Sequence, residues 1–316
     1  MTGCSLARFL AAALLYAGAG LVHADDADAN SPDSLRAKYG VLQDSLRQNQ
    51  FRSPLHMESS KTRDSAAGEI YAVITHQFAT VGTALESPGN WCDILILHLN
   101  TKYCHASTAD QGDVLNVSIG KKTDQSLEQA YRVDFAFKVA TRTADYLQVR
   151  LDADEGPLST RDYRMVLEAI PLETGETFIH LAYSYAYGLL GRVAMQTYLG
   201  TTGSDKVGFT VAGIQPGGNP SYVGGMRGAL ERNTMRYYLA IEAFLGALSA
   251  PPQERLETRL HDWFAAVEGY PRQLHELERG AYLDMKHREV QRQEAELPEA
   301  GGRKQDKTRT PNSLQN

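Results

Sequence analysis

Between residues 131 and 187 the chain changes sidedness at almost every step, and this period of two constrains the fold more than any other feature. Val133, Phe135, Phe137 and Val139 alternate with Arg132, Asp134, Ala136 and Lys138. Leu147, Val149 and Leu151 alternate with Tyr146, Gln148 and Arg150. Met165 and Leu167 alternate with Arg164 and Glu168, and Leu181, Tyr183, Tyr185 and Tyr187 with His180, Ala182, Ser184 and Ala186. Successive strand side chains point to opposite faces, so each run predicts a strand with one buried face. Asp154-Glu155-Gly156-Pro157 and Glu173-Thr174-Gly175 supply turn residues between runs. Spacing this short predicts antiparallel hairpins.

Helical signals flank this block. Ser31-Pro32-Asp33 reads as an N-cap, a proline in the first turn and an acid at the positive end of the helix dipole. Leu35, Tyr39, Leu42 and Leu46 then form one apolar stripe, predicting a helix lying on the body of the protein. A strand is expected over residues 68–75 and two short helices over 77–86 and 88–97. A helical insertion is expected over 188–200. Strand character returns over 206–214 and 221–226. The longest predicted helix spans 228–248, with Leu230, Thr234, Tyr237, Ile241, Phe244, Leu245 and Leu248 on one face and Arg232 and Arg236 on the far side. Pro251-Pro252 ends it, and Leu256, Leu260, Trp263, Phe264 and Val267 mark a second amphipathic helix. The expected organisation is a signal peptide over 1–24, an N-terminal helix over 25–50, one α+β domain over 51–250, a helical extension over 251–297 and a disordered tail over 298–316.

The signal peptide follows from a lightly positive start, an apolar run from Phe9 to Val22 and the small-residue pattern ending at Ala24. About 20 apolar residues would be needed to span a bilayer, and this run is shorter. The mature chain would begin near Asp25 and be periplasmic or secreted. Cys4 would leave with the signal, so two of the three cysteines remain, Cys92 and Cys104. An oxidising compartment favours a disulfide between them. The alternative, zinc held by Cys92, His98, Cys104 and His105, matches no familiar ligand spacing. A net charge of −6 with no dominant basic stripe argues against a nucleic-acid partner.

A strand, two short helices, a run of antiparallel strands and one long helix make a specific order. With the segments Ile70–Phe78 and Gly228–Tyr238, that order resembles the helix-grip fold of the START/SRPBCC superfamily over about residues 51–248. The resemblance implies a curved antiparallel sheet gripping a long helix with a cavity between them. Together with the expected signal peptide, it implies an exported binder or carrier of a hydrophobic small molecule or lipid. An aromatic-lined cleft is what such a ligand requires. Phe135, Phe137, Met165, Tyr183 and Tyr185 fall on the inferred inner face, with Tyr237 and Ile241 facing them from the helix. Position along a strand does not separate an open cavity from a filled core.

Motifs for other chemistry are incomplete. There is no Gly-x-Ser-x-Gly elbow. Leu115 stands where a phosphate-binding loop ending at Gly120-Lys121 needs glycine, and His275-Glu276-Leu277-Glu278-Arg279 lacks the second histidine of a zinc-protease helix. No cofactor or metal is implied. Arg164 with Glu168 and His180 with Ser184 read as pairs on the outer, solvated face. His180, among tyrosines, is the one weak catalytic candidate. Two other roles stay open: a cavity enzyme of the cyclase or hydratase kind, and an envelope assembly factor holding a partner through residues 253–297.

Overall fold

The computed structural model describes residues 30–110, 112–188 and 206–296. The expected signal peptide, nearly all of the 188–200 insertion and the C-terminal tail lie outside these residues. The fold is α+β: one curved antiparallel sheet of eight strands gripping a long helix. The strands are β1 (Leu55–Lys61), β2 (Ser65–Ile74), β3 (Thr101–Ala109), β4 (Gly112–Ile119), β5 (Tyr131–Arg142), β6 (Leu147–Glu155), β7 (Thr160–Pro171) and β8 (Thr177–Tyr187). Their order is β1-β2-β8-β7-β6-β5-β4-β3. After the β1–β2 hairpin the chain crosses to the far edge through α2 (Phe78–Leu85) and α3 (Pro88–Leu95), then meanders back until β8 pairs with β2.

The alternation falls where expected in β5, whose Val133, Phe135 and Phe137 are buried between exposed neighbours. β1 shows no alternation in sequence, because Leu-His-Met-Glu-Ser-Ser-Lys sits at an edge and is only partly covered. A short hairpin of β9 (Val211–Ile214) and β10 (Pro220–Tyr222) precedes the long helix α4 (Gly225–Gly246). α4 lies very close to β2. A Cβ at Gly68 would stand 2.6 Å from Thr234 Oγ1 and 3.3 Å from Leu230 Cγ, so glycine permits this approach.

The far side of α4 corrects the amphipathic reading. Arg232 (2% exposed) and Arg236 (0%) are buried, because α5 (Arg255–Glu268), α6 (Pro271–Leu274) and the segment around Val207 cover them. Trp263 Nε1 donates to Arg236 O at 3.1 Å, and Arg236 Nη2 donates to Leu274 O at 3.1 Å. The last helix, α7 (Arg279–Glu296), is polar in sequence yet buries Tyr282, Met285, Lys286 and Glu289. Lys286 Nζ donates to His98 O (2.7 Å), Thr101 O (2.9 Å) and Glu289 Oε2 (2.7 Å), and Lys102 Nζ reaches Glu289 Oε1 at 3.0 Å. Gln293 accepts the Cys104 backbone N–H at 3.1 Å, so α7 also covers the β3 edge.

α1 (Pro32–Arg47) is capped as the sequence requires, Ser31 Oγ accepting the Ser34 N–H at 3.2 Å. Its stripe of Leu35, Leu42 and Leu46 packs on Tyr71, Tyr146, Ile170 and Phe178, on the sheet face opposite α4. Cys92 within α3 and Cys104 in β3 form a buried disulfide, with Cα atoms 5.1 Å apart. Pairing occupies both thiols, and among the described residues no group of three or more His, Cys, Asp or Glu side chains is placed to hold a metal ion.

Candidate functional site

Between the inner face of the sheet and α4 lies a cavity of about 280 Å³. Tyr163 from β7, Tyr183 and Tyr185 from β8 and Tyr237 from α4 form its aromatic wall. Tyr163 and Tyr185 stack at 5.4 Å between ring centroids, Tyr183 meets Tyr237 edge-on at 5.2 Å, and Phe135 meets Tyr163 edge-on at 6.3 Å. The period of two places alternate β8 side chains on this face, and Gly156 leaves room for the Tyr163 ring, which a Cβ there would meet at 2.2 Å. At the rim, Leu158 is half exposed with a left-handed φ of 56°, a conformation uncommon outside glycine.

The other wall is polar. His98 and Asn100 come from the turn between α3 and β3, Lys122 from the segment after β4, and Arg232, Asn233 and Arg236 from α4. Sequence reasoning missed these residues, because helix periodicity set the two arginines outside and nothing marked His98 or Lys122 as their neighbours. Lys122 pairs with Glu276, which also accepts Arg236 Nη2 at 2.9 Å. Burial, with Arg236 adding to it, pulls the Lys122 ammonium down to about 8. Burial, reinforced by the surrounding cations, holds His98 well below the usual histidine value, and its ring stacks on Tyr237 at 4.7 Å. Burial pushes Tyr183, Tyr185 and Tyr237 above the ordinary phenol range. All three phenols therefore stay neutral at physiological pH.

The residues expected to line a ligand site divide. Tyr183, Tyr185 and Tyr237 line the cavity. Phe135 and Met165 line an adjoining void of about 20 Å³, together with Tyr183 and Tyr237. Phe137 and Ile241 are buried in the packed core beyond both spaces.

His180 is elsewhere. It points to the opposite face of the sheet, beneath α1, so the solvated reading of His180 and Glu168 is corrected: they are 9% and 2% exposed. The α1 stripe fixed a helix on the body, but nothing in the alternation showed which strands it would cover. His180 Nδ1 lies 2.7 Å from Glu168 Oε2 and Nε2 lies 3.0 Å from Glu69 Oε2. Tyr71 stacks on the imidazole at 4.3 Å and donates to Glu69 Oε2 at 2.7 Å, while Tyr146 donates to Glu168 Oε1 at 2.5 Å. Arg164 and Ser184, farther along the same strands, remain exposed or half-buried as expected.

No family model matches the chain, and no curated protein matches it in sequence. Solved structures with a similar fold include a point mutant of norcoclaurine synthase from Thalictrum flavum in complex with a transition-state analogue. It is 15% identical over 46% of this chain and 89% of its own, with a TM-score of 0.32. Human StAR-related lipid transfer protein 5 is 8% identical over 55% of this chain and 93% of its own, at 0.31. A protein from Arthrobacter aurescens is 14% identical over 61% and 92%, at 0.30. At these scores the likenesses add nothing to the topology described above.

Proposed function

We propose that this protein binds a small hydrophobic molecule in the cavity between the sheet and α4, as a START-like carrier or binder. The tyrosine-lined space of about 280 Å³ is the observation that carries the reading. Small-molecule sites are concave and aromatic with a few placed polar groups, and typically measure about 300–1,000 Å³. A volume just below that range fits a one- or two-ring molecule or a short acyl chain better than a two-tailed lipid. Binding is favoured over turnover by where His180 lies: the expected acid/base sits on the opposite face of the sheet, beneath α1, and does not line the cavity.

The Cys92–Cys104 disulfide supports work outside the cytoplasm, where such bonds persist. An assembly role through residues 253–297 has less support. Among the described residues, the exposed large apolar side chains (Val41, Tyr131, Leu158, Val211 and Ile214) all lie outside those helices. Native mass spectrometry of the protein isolated from its own compartment, followed by organic extraction, tests the reading. A near-stoichiometric adduct that extracts into solvent is expected. A bare mass, together with no displacement of a hydrophobic dye by aryl or acyl compounds, would overturn it.

A further inference from the structure

The two walls of the cavity ask for different halves of one ligand. The tyrosine wall presents ring faces. The wall built from His98, Lys122, Arg232 and Arg236 presents donors, and no carboxylate lines the cavity among the described residues. Both arginines have other partners: Arg232 Nη1 donates to Val207 O at 3.2 Å, and Arg236 Nη2 to Leu274 O and Glu276. Lys122 and Arg236 share one carboxylate, Glu276, so a cationic surplus remains on this wall, and His98 and Lys122 offer the donors.

His98 is the more telling of the two. It is 1% exposed, and its Nδ1 accepts the Asn100 backbone N–H at 3.1 Å. An imidazole that accepts at Nδ1 and is kept neutral by burial must carry its proton on Nε2. That Nε2 has no hydrogen-bond partner among the described residues. A buried donor left unsatisfied costs about 1–3 kcal/mol. The ring is held in place, because Tyr237 stacks on it at 4.7 Å and the Asn100 N–H engages its Nδ1. Such a donor, on the same wall as the Lys122 ammonium, is suited to a charged acceptor, since hydrogen bonds to ionised groups are roughly twice as strong as neutral ones.

We propose that the ligand is a small organic acid with an aryl or short alkyl body, its carboxylate received by His98 Nε2–H and the Lys122 ammonium and its body lying on Tyr163, Tyr183, Tyr185 and Tyr237. The inference rests on the cavity being a binding site and adds the charge of what enters it. No covalent step is involved. Lys122 is held to Glu276, so the incoming carboxylate shares this ammonium rather than displacing its partner.

The test uses matched probes on the full mature chain by titration calorimetry: 3-phenylpropionate, its neutral amide 3-phenylpropanamide, and octanoate as the alkyl acid. At least one acid is expected to bind ten-fold or more tighter than the amide. Lys122→Gln should bring that acid down to within about two-fold of the amide. Independently of any variant, the ¹⁵N spectrum of the imidazoles should show His98 as the Nε2–H tautomer, and its Nε2 signal should move with the acid and not with the amide. Equal affinity for acid and amide would overturn the proposal while leaving the cavity as a neutral binding site. An extracted native ligand that lacks an anionic group would overturn it in the same way. Failure of every probe, with no extractable ligand, would overturn both the proposal and the reading beneath it.

Discussion

Glu69, His180 and Glu168 are aligned across β2, β8 and β7 because His180 sits in register with Tyr71 on one side and Glu168 on the other. Burial alone would lower the His180 pKa, but its hydrogen bonds to Glu168 and Glu69 override that and raise it above 6.5. The same His180 bond, against the opposing pull of burial, lowers Glu69 from 4.5 to about 2. The two shifts act on opposite limbs of the stability curve. Stabilisation through His180 is complete below about pH 6.5 and disappears as pH rises through its elevated folded value. Stabilisation through Glu69 is complete above 4.5 and disappears as pH falls towards 2. Thermal unfolding followed from pH 3 to 9 should therefore give a dome whose alkaline limb flattens in His180→Gln. The variant should lose about 3 kcal/mol near pH 6, because buried Glu168 is left without its cation. An unchanged alkaline limb would show that the network is not ionic.

At the scale of elements, close approach and covalent closure fix how β2, α3 and α7 meet the rest. Gly68→Ala would drive a methyl into Thr234 and Leu230. Displacing α4 from β2 should cost about 1–3 kcal/mol, as overpacking of a filled core does. Chemical denaturation would register it, and a loss below about 0.5 kcal/mol would mean the helix sits more loosely than its contacts indicate. The disulfide closes the short span from α3 into β3. Cys92→Ala with Cys104→Ala should lower stability by about 2–4 kcal/mol, and a reductant should lower the wild-type melting temperature while leaving the double variant unchanged. Glu289→Gln would leave the buried Lys102 and Lys286 facing a neutral amide. A loss of about 3 kcal/mol in urea is expected.

These elements also mark what the sequence can and cannot say. The alternation in β5 and β8 is legible because one face meets the core and the other water. β1 is not, because an edge strand needs no buried face. The two arginines of α4 mislead because a helix covered on all sides loses the polar side that periodicity looks for. The tyrosine half of the candidate site could be read from β8 and α4. The His98 and Lys122 half could not, since it is assembled by packing between a turn and a segment 24 residues on.

For the molecule as a whole, the question is whether the helices after Pro251 are an appendage or part of the fold. Leu260, Trp263, Val267, Leu274, Tyr282 and Met285 all belong to the same core as the sheet and α4. Burying a large apolar side chain stabilises by about 1.5–3 kcal/mol. The six together contribute on the order of 10 kcal/mol, comparable to the entire 5–15 kcal/mol that holds an ordinary domain folded. Polar ties run in parallel: Tyr282 donates to Leu97 O at 3.1 Å, and Lys286 fixes the turn that carries His98. A chain ending at Leu248 would expose Arg236 and the outer side of α4 to water and release that turn. It should therefore fail to unfold cooperatively and should bind a hydrophobic dye strongly, rather than persist as a stable core that has shed a partner-binding arm. Circular dichroism melting of the truncated and full chains would check this. A sharp transition within a few degrees of the full chain would show that the sheet and α4 form a self-sufficient unit and that the three C-terminal helices merely rest upon it.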